Sequence, residues 1–266
     1  MIGAIFTPMA GALLGISAVG GFIAGFMGVG GAVVLIPLLL SVPPLLGVGR
    51  LGMPEIAGIT MLQVLSASIA GALAHRKQGF MSGRVVLLVG LPMGVAALLG
   101  AVLSRYTGGH AMLIVFGVLV AAAFLMLIQR APGELFEPEG ELAVSAPRAI
   151  AVGTGVGVAS GIVGAGGGFI LIPLMLRVLK LPLRVTVGSS LGIVLFGALM
   201  GSIGKIVTLQ VEWVYLLPVI LGSIPAARLG ARASHAAPPL LVRYALLGIV
   251  LLTLLRTWYG IFTWAG

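Results

Sequence analysis

Long apolar runs separated by short polar segments extend along the whole chain. Most runs contain the roughly 20 residues that an α-helix needs to cross the hydrocarbon core of a bilayer. The second and seventh are shorter, which leaves two alternatives for them: half-helices or arms of re-entrant hairpins. The pattern predicts an all-α polytopic membrane protein with ten helical elements, at about 4–27, 30–47, 54–75, 82–104, 109–128, 147–164, 167–181, 184–205, 210–233 and 239–262.

The chain also contains an internal repeat. Residues 25–40 (GFMGVGGAVVLIPLLL) and 161–176 (GIVGAGGGFILIPLML) align at an offset of 136, with nine identities in sixteen positions. At an offset of 130, residues 57–73 align with 187–203. A glycine cluster that interrupts an apolar segment once in each half is typical of transporters built from two repeats.

The repeat predicts how the chain is divided. We expect a first repeat at 1–128, an acidic cytoplasmic linker at 129–146 and a second repeat at 147–266, each repeat with five elements. An odd number of elements reverses the orientation of the second copy, so the prediction is a pair of inverted repeats. This path places eleven Lys and Arg residues on one side and four on the side of the chain ends. Cytoplasmic loops are rich in Lys and Arg, so both termini are predicted to be extracytoplasmic.

Composition excludes several classes of function. Hydrophobic residues make up 60% of the chain and charged residues only 8%, against about 25% charged in soluble domains. The net charge of +9 fits the positive-inside rule better than nucleic-acid binding. The chain has no cysteine, no GxxxxGK[ST] motif for ATP and no cluster of catalytic or metal-binding side chains. We therefore expect no enzyme activity, no cofactor and no metal.

The glycine clusters are the main candidates for a binding site. Glycine permits a left-handed backbone and close approach of a ligand, and the helix start that follows offers free N–H groups to an anion. Close packing of helices without any ligand is the alternative. The candidate residues are Gly28, Gly30 and Gly31 in the first repeat and Gly164, Gly166 and Gly167 in the second.

Polar residues add further candidates. Thr60, Gln63 and Ser66 share one face of the third predicted helix, where they either line a substrate cavity or bond to neighbouring helices. His75, at a helix end, is a candidate for gating, with an ordinary interfacial position as the alternative. Arg228 either attracts an anion or extends its charge to the membrane surface.

With these motifs the chain resembles the TauE/SafE family of sulfite and sulfonate exporters. The resemblance rests on GFMGVGGAVVLIP, GIVGAGGGFILIP, VGSSLGIVLFGALMGSIG and LGARAS. It implies transport of small sulfur-containing anions such as sulfite or sulfoacetate, at the six glycines, with Thr60, Ser189 and Ser190 nearby.

The function that follows is a secondary transporter in a bacterial inner membrane, most consistent with export of a small anion. The alternatives are an uptake permease coupled to a cation and a membrane scaffold or sensor without transport. The expected partners are the anionic substrate and the lipid bilayer. Nucleic acid is not expected, and assembly into a homo-oligomer is left open.

Overall fold

A computed structural model describes residues 7–76, 81–129 and 144–263, without the side chains of 74–76, 235 and 239. These residues form helices, turns and loops, which confirms the prediction of an all-α fold. The helices are α1 (Pro8–Met27), α2 (Ala32–Leu45), α3 (Met53–Arg76), α4 (Gly83–Leu103), α5 (Gly109–Ile128), α6 (Ala146–Val163), α7 (Gly168–Arg177), α8 (Leu183–Val207), α9 (Leu216–Ala236) and α10 (Pro239–Phe262). Most of the predicted linker, residues 130–143, lies outside the described part.

Eight of the ten described helices are long and apolar enough to cross a membrane, and α2 and α7 are the exceptions. The 10 residues of α7 rise about 15 Å, half of a hydrocarbon core of about 30 Å. The 14 residues of α2 rise about 21 Å by the same measure. Both are therefore too short to cross the core, and we call them half-helices.

Helices α3 and α8 form the centre of the molecule, and they are the most buried of the eight long helices. The side chain of Met61 on α3 lies against Gly201 on α8, whereas Gly71 lies against Leu191. Residue numbers thus rise along α3 as they fall along α8, so these two helices run antiparallel. They occupy equivalent places in the two sequence repeats.

Small residues allow the helices around this centre to pack closely on one another. Helix α1 packs along α9, where Gly25 contacts the backbone at Ala227. Helix α6 packs along α4 in the same way, where Gly161 contacts the backbone at Ala97. The two contacts are equivalent under the sequence offsets of 136 and 130. Two halves related by a two-fold axis make such matching contacts. The inverted repeat itself stays a prediction.

Proline shapes the first half-helix. Pro37 lies inside α2 and has no N–H, so the carbonyl of Val33 receives no helical hydrogen bond from it. The hydroxyl of Thr253 on α10 donates to that carbonyl at 2.9 Å. The bond fixes the first turn of α2 to α10.

Candidate functional site

Each glycine cluster ends one helix and begins the next. Gly28 caps the C-terminus of α1 and Gly31 the N-terminus of α2, while Gly164 and Gly167 do the same for α6 and α7. A positive φ is strained for residues with a side chain, so glycine is required here for its conformation. All six candidate glycines have left-handed φ values, 74° at Gly28, 80° at Gly30 and Gly31, 80° at Gly164, 62° at Gly166 and 70° at Gly167.

Hydroxyl groups from the opposite half of the chain bind the two breaks. The Thr60 hydroxyl on α3 donates to the carbonyl of Gly164 at 2.8 Å. The Ser190 hydroxyl on α8 donates to the carbonyl of Gly28 at 2.8 Å. Both side chains are fully buried. Each half of the chain therefore positions the break of the other half.

The two breaks meet at the middle of the central helices. A Cβ at Gly30 would lie 3.0 Å from Val64 and 3.3 Å from Val194, and one at Gly166 would overlap Val64. Val64 is the twelfth residue of the 24 in α3, and Val194 the twelfth of the 25 in α8. The carbonyl of Val29 also contacts Gly168. Helices α2 and α7 thus begin side by side near the centre of the molecule.

The starts of these half-helices carry unpaired hydrogen-bond donors. The N–H groups of residues 29–33 and 166–170 donate to no acceptor in the described part of the chain. Free N–H groups and the positive end of the helix dipole favour an anion. The side chains that contact the two breaks are neutral. The preference of the two breaks for a negatively charged ligand therefore comes from the backbone N–H groups.

Gln63 adds a polar side chain beside the first break. It is 0% exposed, and neither amide atom has a hydrogen-bond partner within the described residues. Its amide nitrogen lies beside Gly20 of α1, whose carbonyl contacts Gly31 at the start of α2. A buried amide without a partner is unusual and calls for an explanation. A ligand at the break would supply the missing hydrogen-bond partner.

Comparison with known proteins identifies the family. The sequence matches the family described as Sulfite exporter TauE/SafE over residues 13–257. The chain belongs to this family.

Relatives agree with this assignment. A probable membrane transporter protein of Xylella fastidiosa (strain 9a5c) is 31% identical over 218 residues, 79% of each chain. The probable membrane transporter protein YdhB of Bacillus subtilis is 30% identical over 237 residues, 85% of this chain and 91% of its own. No solved structure matches the chain. The chain is therefore a multi-pass membrane protein of a transporter family.

Two predicted site serines, Ser66 from the polar face of α3 and Ser189 from the family resemblance, bond to other helices. The Ser66 hydroxyl lies 2.6 Å from that of Ser223 and links α3 to α9. The Ser189 hydroxyl accepts from the N–H of Ser82 at 3.0 Å, just before α4. Both are buried. In this conformation their hydrogen bonds join helices.

The gating candidate His75 and the anion-attraction candidate Arg228 remain predictions. Arg228 is exposed on α9 and makes no hydrogen bond or ion pair within the described residues. His75 lies in the last turn of α3, and its side chain is outside the described part. Neither role is tested by the geometry.

Lys205 was missed as a functional candidate. It counts among the four Lys and Arg residues that the predicted path places on the side of the chain ends, but the residue is 0% exposed. The ammonium donates to Ser104 Oγ at 2.7 Å, Gln210 Oε1 at 2.9 Å and the carbonyl of Ile162 at 3.2 Å. That carbonyl lies in the last turn of α6, two residues before Gly164. Lys205 therefore caps the helix that leads into the second break.

Proposed function

We propose that this protein is a secondary transporter that exports a small sulfur-containing oxyanion or sulfonate across a bacterial inner membrane. The substrate binds where α2 and α7 begin, between the two glycine breaks. Both chain termini are extracytoplasmic in this proposal, as the distribution of Lys and Arg predicts. The family description, sulfite exporter, supports the substrate class.

One observation carries the proposal: two helix N-termini with unpaired N–H groups lie together at the middle of α3 and α8. Irregular backbone at membrane depth is tolerated where it is buried in protein or lines a cavity. Half-helix N-termini that point at an anionic group are a recurring site in transporters with broken helices. The unpaired amide of Gln63 supplies a further polar group for the substrate.

The chemistry of the donors favours a class of substrates. Sulfite and organosulfonates both present oxygen atoms on sulfur, which accept hydrogen bonds from several N–H groups at once. Backbone donors contact only these oxygens and make no specific contact with the rest of the substrate. We therefore propose that the site recognises the sulfur–oxygen group and discriminates weakly among the organic groups attached to it.

Export fits the electrical driving force. An inside-negative potential favours outward movement of each negative charge by about 2.3 kcal/mol per 100 mV. An uptake permease would need a coupled cation against this potential. Export is accordingly the proposed direction.

The test is flux of labelled sulfite and labelled sulfoacetate from proteoliposomes. Gly30→Ala should reduce efflux at least ten-fold, because a Cβ at a φ of 80° is strained and meets Val64 and Val194. Gly15→Ala is the matched control, since Gly15 lies within α1 and a Cβ there meets nothing within 4 Å. Efflux through Gly30→Ala at the parent rate would show that the breaks serve packing alone. Absence of flux in the parent protein would favour the scaffold alternative.

A further inference from the structure

A second polar cavity lies apart from the glycine breaks. It has a volume of about 230 Å³ and is bounded by the later turns of α2, by α5 and by the end of α10. Ser41, Arg256, Thr257, Tyr259 and Thr263 contribute polar groups to its wall. Among the described residues, no carboxylate lines it. The cavity is therefore positively charged.

Arg256 supplies that charge, and some of its N–H groups remain without a hydrogen-bond acceptor among the described residues. Its Nε and Nη2 atoms donate to Ser41 Oγ at 3.0 and 2.8 Å. Nη1 has no partner within the described residues, and no carboxylate there pairs with the guanidinium. A guanidinium has five N–H donors in a planar fork that suits oxyanions. Donors thus remain for a negatively charged ligand.

Thr257 provides an independent sign of a missing partner. The residue lines the cavity and is only 2% exposed. Its hydroxyl is buried and has no hydrogen-bond partner within the described residues. Buried hydroxyl groups are normally paired, because an unmade bond costs about 1–3 kcal/mol. A bound oxyanion would accept this hydrogen bond after rotation of the hydroxyl toward the cavity, because the oxygen is not exposed in this conformation.

The end of α10 carries the aromatic side chains typical of a membrane interface. Tyr259 is 60% exposed and Phe262 is 81% exposed, and the ring of Trp258 packs beside that of Phe262. Residues of this kind lie at the level of the lipid headgroups. At that depth, both dissolved anions and lipid phosphates would have access to the cavity.

We propose that this cavity is a second anion site, which binds an oxyanion group through Arg256 and Thr257. The group is either a dissolved sulfate-like anion or the phosphate of an anionic phospholipid, because both present the same oxygens. The inference does not rest on the proposed transport function. It concerns residues that do not contact the glycine breaks.

Thermal unfolding of the purified full chain in detergent tests the proposal. One arm compares sodium sulfate with sodium chloride at equal ionic strength. The other compares phosphatidylglycerol with phosphatidylcholine added to the micelles. Sulfate also stabilises proteins without binding to a site. We therefore expect the unfolding midpoint to rise in at least one arm, and the arm in which Arg256→Gln reduces that rise identifies the source of the anion. Arg256→Gln should weaken the apparent affinity at least ten-fold in the same arm.

Two further variants keep the result interpretable. Arg50→Gln removes an exposed charge that does not line the cavity, and it should leave the shift unchanged. Thr257→Val removes only the hydroxyl, so it should fold, and it should weaken the shift. A midpoint that responds in neither arm would overturn the proposal. So would a shift that Arg256→Gln and Thr257→Val retain in full, since the anion would then bind elsewhere.

Discussion

Gln63 combines full burial with an amide that has no hydrogen-bond partner in the described structure. Each unpaired donor or acceptor of this kind destabilises the fold by about 1–3 kcal/mol. An apolar side chain of similar size would remove that penalty. In the proposed site the amide would bind the substrate, and the nearby start of α2 suits an anion.

Gln63→Leu should separate stability from transport. We expect an unfolding midpoint equal to or above that of the parent protein, because the unpaired amide is gone. Efflux of labelled sulfite should fall about ten-fold, the loss expected for one buried hydrogen bond to a charged group. Parent-level efflux with a raised midpoint would exclude Gln63 from the substrate site.

The elements around the second break are fixed by Lys205. The ammonium joins α8 to Ser104 after α4, to Gln210 after α8 and to the last turn of α6. A cation near a helix C-terminus satisfies carbonyl groups that have no helical partner. The end of α6 should therefore depend on this one side chain.

Lys205→Met should loosen the end of α6 locally. The carbonyl of Ile162 loses a charged donor worth about 1.5 kcal/mol, so amide exchange in residues 160–165 should rise about ten-fold. Hydrogen exchange followed by mass spectrometry measures this. Lys180→Met is the control, because Lys180 is exposed in the loop before α8. Equal exchange in both variants would mean that Lys205 does not hold α6.

The helices and their breaks were largely predictable from the sequence, because glycine and proline act locally. The clusters at 28–31 and 164–167 interrupt the helices where predicted. Side-chain partners were not predictable, since they depend on which helices meet. Thr60 and Ser66 share a face of α3, yet one bonds to Gly164 and the other to Ser223. Lys205 occurs at a polar helix end, and its burial appears only when α4 and α6 pack beside it.

At the scale of the whole molecule, equivalent helices α3 and α8 run antiparallel, and hydrogen bonds between the halves are reciprocal. These observations agree with inverted repeats. Membrane sidedness needs a separate measurement. The chain contains no cysteine, so single-cysteine variants can report on sidedness without a prior substitution.

Arg50 and Lys180 are equivalent at the offset of 130 and test the inversion directly. Both are exposed loop residues. A membrane-impermeant maleimide should label Arg50→Cys in intact cells and should label Lys180→Cys only after the membrane is opened. Inverted repeats place equivalent loops on opposite sides. Labelling of both variants from the same side would contradict the inversion.

Transport should respond to voltage and need no nucleotide. In proteoliposomes that contain labelled sulfite, an inside-negative potential should accelerate efflux, because each exported charge gains about 2.3 kcal/mol per 100 mV. Potassium gradients with valinomycin set the potential, and a zero potential is the control. Efflux that ignores the potential and follows a pH gradient would indicate proton coupling. His75 and Lys205 would then be the first residues to substitute.

The reciprocal hydrogen bonds also bear on biogenesis. Gly28 and Ser190 are separated by 162 positions, and Thr60 and Gly164 by 104. During synthesis, Gly28 enters the bilayer long before Ser190, whose hydroxyl binds its carbonyl, has left the ribosome. The break between α1 and α2 must then persist in lipid with an unpaired carbonyl, or be held by the insertion machinery. We therefore expect the hydrogen bonds at the centre to form late, and a chain terminated before α8 should be a substrate for membrane proteases.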